Sequence, residues 1–278
     1  MAKEIYSGLQ IAIAKGVATV TIDHPPINLF DPILIADFDQ AGQALAENSS
    51  VKVVVLQSAN PDFFIAHADV LTIQQLPPAG EPGSEALTAF HVALDRFRTM
   101  PKATIAKIEG RCRGGGSELA LACDMRFAAI GKAVLGQPEV ALGIIPGGGG
   151  STRLPRLVGR ARALEVILGC ADFDAELAER YGYVNRALPA DEIGAFVDQL
   201  ANRIASFPPE AIAIAKEAIV NSDMDLGEAL TGEQALFLRS AHTDSAKKRM
   251  AAAMSAGLQT EALEKAGFED LWRSLDDS

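Results

Sequence analysis

The sequence has few cysteines, no long apolar run and a shortage of basic residues. Its three cysteines, Cys112, Cys123 and Cys170, are scattered and form no Cys-x-x-Cys pair. This argues against a disulfide framework and against a structural zinc site. No stretch of about 18 uninterrupted apolar residues occurs, which argues against a membrane-spanning helix. The first ten residues also lack the apolar core of a secretory signal, so we expect a soluble, cytoplasmic protein.

The charge balance is strongly acidic. Lys and Arg total 25 against 36 Asp and Glu, which gives a formal net charge of −11. Such a chain is not expected to bind nucleic acid or an anionic membrane, although a local basic patch could still bind a phosphorylated ligand. A length of 278 residues with 49% hydrophobic residues is typical of a folded globular protein rather than a disordered one.

Apolar patterns predict a mixed α/β core in the first part of the chain. The alternation over residues 9–22 around Gly16 predicts a β-hairpin. Asp31 and Pro32 are typical of a helix start, and the apolar spacing over residues 33–47 predicts the helix that follows.

The rest of the chain is predicted to be a strand, a long loop and then mainly helices. The β-branched run over residues 51–56 predicts a buried strand. Residues 58–84 are expected to form an irregular loop, and loops of that length in a compact domain are often functional. From about Ala161 onward the pattern predicts helices almost exclusively, one of them over residues 224–240.

The glycine-rich stretch 110–118, GRCRGGGSE, fails to match three well-known catalytic loops. Gly116 stands where a phosphate-binding loop needs lysine, and Leu119 breaks both the dinucleotide-binding pattern and the serine-hydrolase pattern around Ser117. Three glycines before a helix do let the backbone approach a ligand and present free N–H groups to it. Because a helix N-terminus adds partial positive charge, this turn favours binding of an oxyanion.

Two glutamates lie in or near the glycine-rich stretches. Glu118 falls in the first turn of the predicted helix, where it could act on a ligand or simply interact with the helix dipole. Glu139 lies among apolar and conformationally restricted residues of 136–150. Poor solvation should raise its pKa, unless it is a paired structural glutamate. Two carboxylates beside one oxyanion site suit proton transfer next to a carbonyl group.

A third segment, residues 62–70 (DFFIAHADV), follows the predicted buried strand. A loop at a strand end can present backbone N–H groups to a ligand. His67 invites a catalytic role, but the four histidines are scattered over positions 24, 67, 91 and 242. We therefore predict no general-base role for any of them.

In this order and spacing, the three segments resemble the crotonase superfamily of enoyl-CoA hydratases and isomerases. Residues 64–69 are similar to its AGAD-type segment, residues 114–124 to GGGxELAxxCD, and residues 136–150 to QPExxLGxxPGxGG. The likeness extends over about residues 5–240. It implies an α/β fold, namely a crotonase-like spiral of β-β-α units with a helical C-terminal oligomerisation region.

The resemblance also implies a division of the chain into two parts. Residues 1–200 would form the spiral core with the acyl-CoA site. Residues 201–278 would form a helical region that mediates oligomerisation and covers the CoA site. The expected assembly is a homotrimer or a dimer of trimers.

The family pattern further implies roles for individual residues. The backbone N–H groups of Ala68 and Gly115 would bind the thioester oxygen of an acyl-CoA. Glu118 would activate water for attack at Cβ, and Glu139 would exchange the proton at Cα. The residues expected to contact the substrate or its CoA arm are Ala66, Ala68, Asp69, Val70, Leu71 and Gly115. Neither a metal nor a retained cofactor is implied, because coenzyme A is part of the substrate.

Two features depart from the family pattern. His67 stands where the family usually has glycine; if that position needs a positive φ, histidine adopts it at some cost. Its imidazole could also contact the CoA arm or the acyl group. Residues 243–249 replace the common EGxxAFxEKR segment. There Lys247, Lys248 and Arg249 could bind CoA phosphates or form a solvated helix face.

The presence of both glutamates favours hydration, since isomerases of this family can work with the later carboxylate alone. We therefore predict an enzyme that adds water across the 2,3 double bond of an enoyl-CoA thioester. The alternatives on the same fold are double-bond isomerisation, thioester hydrolysis and decarboxylation. A further alternative is a module that binds acyl-CoA or protein without catalysis.

Overall fold

An antiparallel hairpin begins the fold, as the alternating pattern predicts. The computed structural model describes residues 6–75, 88–220 and 243–256, and Leu275. Strand β1 (Leu9–Ala14) pairs with β2 (Val17–Ile22) across a turn at Lys15 and Gly16, both of which have positive φ. The hairpin therefore closes where the sequence places its glycine.

The strands of the described residues form two sheets. The larger sheet runs in the spatial order β1, β2, β3 (Val53–Ser58), β5 (Ala103–Ile108), β7 (Met125–Ala129) and β10 (Arg186–Leu188). The smaller sheet runs in the order β4 (Phe63–Ile65), β6 (Arg111–Arg113), β8 (Val134–Gly136) and β9 (Phe173–Asp174). From β3 to β8 the strands alternate between the sheets: β3, β5 and β7 lie in the larger sheet, and β4, β6 and β8 lie in the smaller one. Within each sheet these neighbouring strands pair in parallel.

Helices connect these strand pairs, so the repeated unit is strand, strand, helix. The helices are α1 (Pro32–Glu47), α2 (Val70–Gln74), α3 (Ala89–Thr99), α4 (Gly115–Ala122), α5 (Gly150–Val158), α6 (Arg160–Gly169), α7 (Ala175–Tyr181), α8 (Ile193–Ala205), α9 (Pro209–Val220) and α10 (Asp244–Ser255), with a 3₁₀ turn at Glu139–Leu142. The α/β spiral of β-β-α units that the resemblance implies is the observed architecture.

The helix start predicted at Asp31 is also confirmed. The Asp31 carboxylate accepts a hydrogen bond from the backbone N–H of Leu34, and Pro32 is the first residue of α1. An N-cap with proline directly after it is a favoured way to begin a helix. The cap places α1 directly after the segment around Phe30, which contributes to the site described below.

Strand β3 is buried on both faces, which explains its continuous apolar sequence. Val54 and Leu56 pack in the main core, whereas Val53 and Val55 pack in a second cluster. Successive side chains of a strand point to opposite faces, so both sets are covered. Helix α8 covers the second cluster with Ile193, Val197, Ala201 and Ala205.

Two secondary-structure predictions are wrong in part. Residues 58–84 are not entirely irregular, because β4 and α2 lie within them. The chain beyond Ala161 is not almost wholly helical, because β9 and β10 interrupt the helices. These strands have two or three residues each, which is too short for an alternating pattern to be recognised.

The C-terminal part is described only in pieces. The helix predicted over residues 224–240 lies outside the described residues. The predicted boundary between residues 200 and 201 falls within α8. Residues of this helix both before and after the boundary pack on the larger sheet. The division into a core and an oligomerisation region stays a prediction. Within the three described stretches, no helix has the length and apolarity needed to cross a membrane.

Helix α4 is fixed at both ends. At its C-terminus the buried Arg126 guanidinium donates hydrogen bonds to the carbonyl groups of Ala120 and Cys123, at 3.2 and 2.8 Å. Near its N-terminus, a Cβ on Gly116 would come within 2.5 Å of the Ile65 carbonyl oxygen, so this residue must be glycine for α4 to pack on β4. The helix is therefore held rigidly against the smaller sheet.

Candidate active site

The peptide between His67 and Ala68 is oriented by a backbone bridge to Phe30. The Phe30 N–H donates to the His67 carbonyl at 2.9 Å, and the Asp69 N–H donates to the Phe30 carbonyl at 3.1 Å. In a trans peptide the C=O and N–H groups point in opposite directions. The Ala68 N–H therefore points away from Phe30, and it donates to no acceptor within the described stretches.

Gly115 brings a second free N–H to the same place. It is the first residue of α4, where a backbone N–H has no partner inside the helix, and no described residue accepts from it. A Cβ on Gly115 would lie 3.2 Å from the Ala68 nitrogen and 3.1 Å from the Ala68 Cβ. The structure thus brings the two predicted oxyanion donors into backbone contact, although they are distant in sequence.

Glu118 lies one helical turn after Gly115 and is only 3% exposed. Its Oε1 accepts hydrogen bonds from the N–H groups of Gly148 and Gly150, at 2.6 and 2.8 Å. Burial raises the pKa of Glu118, while the two N–H groups and the charge of Arg153 oppose that rise. The two hydrogen bonds therefore fix the orientation of the carboxyl group. Together with the positive charge of Arg153 they stabilise its ionised form.

Glu139, the first residue of the 3₁₀ turn, lies close enough to Glu118 for the two charges to interact. Its Oε1 would be 2.5 Å from a Cβ on Gly114, so the glycine turn before α4 leaves room for this carboxyl group. Its Oε2 is buried and has no hydrogen-bond partner among the described residues. Burial, with a smaller contribution from the Glu118 charge, raises the pKa of Glu139 to about 7. The desolvation expected from the sequence is confirmed.

The remaining residues predicted to contact the substrate differ in solvent exposure and in hydrogen bonding. Val70 and Leu71 are 38% and 67% exposed, next to the Ala68 peptide. Ala66 is buried, and its N–H donates to the Ile27 carbonyl. Its contact with the substrate or the CoA arm stays a prediction. The Asp69 carboxylate, the N-cap of α2, accepts from the Thr72 hydroxyl and from the N–H groups of Leu71 and Thr72, and these hydrogen bonds lower its pKa.

His67 occupies its position without backbone strain. It is not among the residues with positive φ, so the cost considered for histidine at this position does not arise. Its Nδ1 lies 2.8 Å from the carbonyl oxygen of Ala68. The imidazole therefore interacts with the loop that presents the Ala68 N–H, and its contact with a substrate stays a prediction.

Three groups in the site were not predicted from the sequence. The Phe90 ring lies against both glycine turns, because Cβ atoms on Gly115 and Gly148 would come within 3.2 and 2.2 Å of it. The N–H groups of Gly148 and Gly150 hold Glu118, and Arg153 lies beside them. The N–H groups of Gly148 and Gly150 have one sequence signal, the consecutive glycines before a helix. The position of Phe90 has none.

The basic residues of α10 differ in exposure. Lys247 and Lys248 are exposed, and the Arg249 guanidinium donates to the Leu275 carbonyl at 3.1 Å. A contact between these side chains and CoA phosphates stays a prediction.

The arrangement is suited to proton transfer next to a carbonyl group. Two neighbouring N–H groups without partners can stabilise negative charge that develops on an oxygen bound to both of them. The two carboxyl groups beside them differ in solvation, because one is held by N–H groups and the other has a free oxygen. Carboxyl groups in unlike environments can serve as base and acid at the same pH.

Comparison with known proteins gives a consistent result. The family model described as enoyl-CoA hydratase/isomerase matches residues 12–264. A protein of Rhizobium meliloti named probable enoyl-CoA hydratase is 36% identical over 250 residues, which cover 89% of this chain and 95% of the relative. A short-chain-enoyl-CoA hydratase of Clostridium acetobutylicum is 34% identical, with 85% and 90% of the two chains covered.

Solved structures show the same similarity in three dimensions. The crystal structure of an enoyl-CoA hydratase from Bacillus anthracis superposes with a TM-score of 0.82 at 30% sequence identity. The superposition covers 90% of this chain and 97% of that chain.

Proposed function

Because this chain belongs to the enoyl-CoA hydratase/isomerase family and is an enzyme of that type, we propose that it adds water across the 2,3 double bond of an enoyl-CoA thioester. The supporting observation is the pair of differently solvated carboxyl groups, Glu118 and Glu139, beside the N–H groups of Ala68 and Gly115. Hydration needs one group that takes a proton from water and another that gives a proton to carbon.

The proposed reaction begins with polarisation of the thioester. The Ala68 and Gly115 N–H groups bind the carbonyl oxygen, which withdraws electrons from the double bond and makes Cβ electrophilic. Glu118 takes a proton from water while the water oxygen forms its bond to Cβ. The electron pair of the double bond moves towards the carbonyl oxygen as an enolate. The N–H groups stabilise this charge.

Protonation at Cα completes the addition. The Glu139 carboxyl gives its proton to Cα, and the enolate electron pair forms the new C–H bond. At the end Glu118 holds a proton and Glu139 is ionised, so one proton must return from the first to the second before the next turnover. The raised pKa of Glu139, about 7, supports its role as the acid, since a large fraction of it is protonated near neutrality.

The reaction is tested with a panel of enoyl-CoA and 3-hydroxyacyl-CoA thioesters of graded chain length. Loss of absorbance at the conjugated bond measures hydration of the enoyl thioesters, and its gain measures dehydration of the hydroxyacyl thioesters. We expect turnover in both directions. A shift of the double bond with no hydroxyacyl product would favour isomerisation, and release of free thiol would favour hydrolysis.

We expect a bell-shaped dependence of kcat/KM on pH with its alkaline midpoint at about 7, where the Glu139 pKa lies. The active form carries one proton on the pair, so activity falls when that proton is lost as the pH rises. Since hydration consumes no net proton, the profiles for hydration and dehydration should coincide. An alkaline limb at pH 9 or above would contradict the assignment of the acid to Glu139.

A further inference from the structure

Arg153 folds back over the turn that precedes its own helix. Its Nη1 donates a hydrogen bond to the Gly148 carbonyl at 2.9 Å. Gly149 has a φ of +115°, and a Cβ there would come within 2.3 Å of the same Nη1. The guanidinium group therefore lies directly over the Gly149 α-carbon, a place that any side chain at this position would fill.

The turn that Arg153 holds is the one that holds Glu118. The Gly148 carbonyl belongs to the peptide between Gly148 and Gly149. The two N–H groups that bind the Glu118 Oε1 belong to the peptides immediately before and after it. A hydrogen bond that fixes the middle peptide therefore restricts the orientation of both donors.

Arg153 is itself held from a different element. Its Nη2 lies 3.4 Å from the Asp95 carboxylate on α3, and its side chain is 20% exposed. Asp95 also pairs with Arg98, one turn along the same helix. The planar guanidinium group thus bridges α3 and the glycine turn, which a guanidinium can do because its N–H groups point in fixed, diverging directions.

The charges around Glu118 give this bridge an electrostatic effect. Glu118 is faced by Arg153 from α5 and by Glu139 from the 3₁₀ turn, and Asp95 and Arg98 of α3 lie beyond Arg153. Burial favours the neutral form of Glu118 and raises its pKa; the N–H groups of Gly150 and Gly148 oppose that rise, and the positive charge of Arg153 adds a smaller contribution in the same direction.

We propose that Arg153 is a positioning residue that orients the Gly148–Gly150 turn and adds positive charge that helps Glu118 to stay ionised for activation of water. This role rests on the proposed hydration. Arg153 acts through the glycine turn and its charge, without contact to the reacting atoms, so its loss changes the turnover of bound substrate more than substrate binding.

The test compares Arg153→Gln and Arg153→Lys with the control Arg156→Gln. Arg156 lies on the same helix, is exposed and donates to the Thr152 carbonyl. Arg153→Gln removes the charge but retains an amide donor for Gly148. The acidic limb of the kcat/KM profile follows protonation of Glu118, the proposed base. In Arg153→Gln we expect the midpoint of this limb to shift upward by about one pH unit. Its KM should change by less than about threefold, and the profile of Arg156→Gln should match the wild type.

A second readout does not depend on catalysis. Infrared difference titration follows the C=O stretch of protonated Glu118, identified by its absence in Glu118→Gln. Its midpoint should rise in Arg153→Gln by the same amount as the acidic limb. If the wild type hydrates no thioester, the proposed function fails, while this titration still decides the role of Arg153.

The proposal is overturned if Arg153→Gln loses activity with neither midpoint displaced, because a purely structural role would give that result. If Arg153→Gln does not fold, Arg153→Lys decides the question. A lysine keeps the charge but offers one nitrogen in place of the two, Nη1 and Nη2, that serve Gly148 and Asp95, so kcat should fall by about threefold to tenfold with the acidic limb in place. A wild-type kcat in Arg153→Lys would also overturn the proposal.

Discussion

Replacement of Glu139 by glutamine should lower kcat for hydration by about 10²- to 10⁴-fold, and Glu118→Gln should cause a loss of the same order. Glutamine preserves the size of the side chain but can neither deliver nor take up the proton. In Glu118→Gln the amide oxygen can still accept from Gly148 and Gly150, so the turn is retained and only the base is lost. Enoyl-CoA hydration measured by absorbance gives the rates.

The two single variants also separate hydration from its main alternative. Isomerisation can proceed with the later carboxylate alone, so activity lost only in Glu139→Gln would contradict hydration. Glu179→Gln, an exposed residue of α7, is the matched control and should keep wild-type activity. Circular dichroism of each variant checks that the fold is retained.

An alanine at Gly148 should reduce kcat by about 10²-fold or more, the size of effect that a misplacement of about 1 Å produces. Its Cβ would come within 2.2 Å of the Phe90 ring and 2.5 Å of the Glu118 Oε2. Since neither contact is possible, the ring or the carboxyl group must move. Displacement of the carboxyl group, or of the turn itself, disturbs the hydrogen bond from the Gly148 N–H to Glu118. The rate of hydration of a saturating enoyl-CoA measures the effect.

Gly147→Ala is a stringent control for this experiment because it alters the same turn one residue earlier. A Cβ on Gly147 would meet only the Ile145 carbonyl oxygen, at 3.9 Å, which is an ordinary contact. This variant should retain nearly full activity. Equal losses in Gly147→Ala and Gly148→Ala would point to general stiffening of the turn and against displacement of Glu118.

Much of the fold could be predicted because local patterns and tertiary environment agree. The hairpin at Gly16, the cap at Asp31 and the apolar strand β3 each follow from short-range chemistry, and each is observed. The resemblance of three short segments to a known family gave the spiral, which no local pattern could have indicated. In the same way Glu139 could be expected to be poorly solvated from its apolar neighbours alone.

The unpredicted features depend on contacts between segments distant in sequence. The position of Phe90 between two glycine turns has no sequence signature, because only the folded chain brings α3 against α4. Backbone donors such as those of Gly148 and Gly150 are equally invisible, since every residue except proline carries an N–H. The hydrogen bond from the Ala66 N–H to the Ile27 carbonyl likewise joins two segments that are distant in sequence.

Gly115 and Glu118 are carried by one short helix, anchored by Arg126 at one end and by Gly116 at the other. The rise along that helix, about 1.5 Å per residue, sets the spacing between the amide and the carboxyl group. Glu139 instead lies on a brief turn followed by exposed residues. One part of the proposed site thus has a spacing fixed by a helix, whereas Glu139 is carried by a separate short turn. Descendants of this scaffold could acquire new chemistries by exchanging one carboxylate while the enolate-stabilising half stays intact.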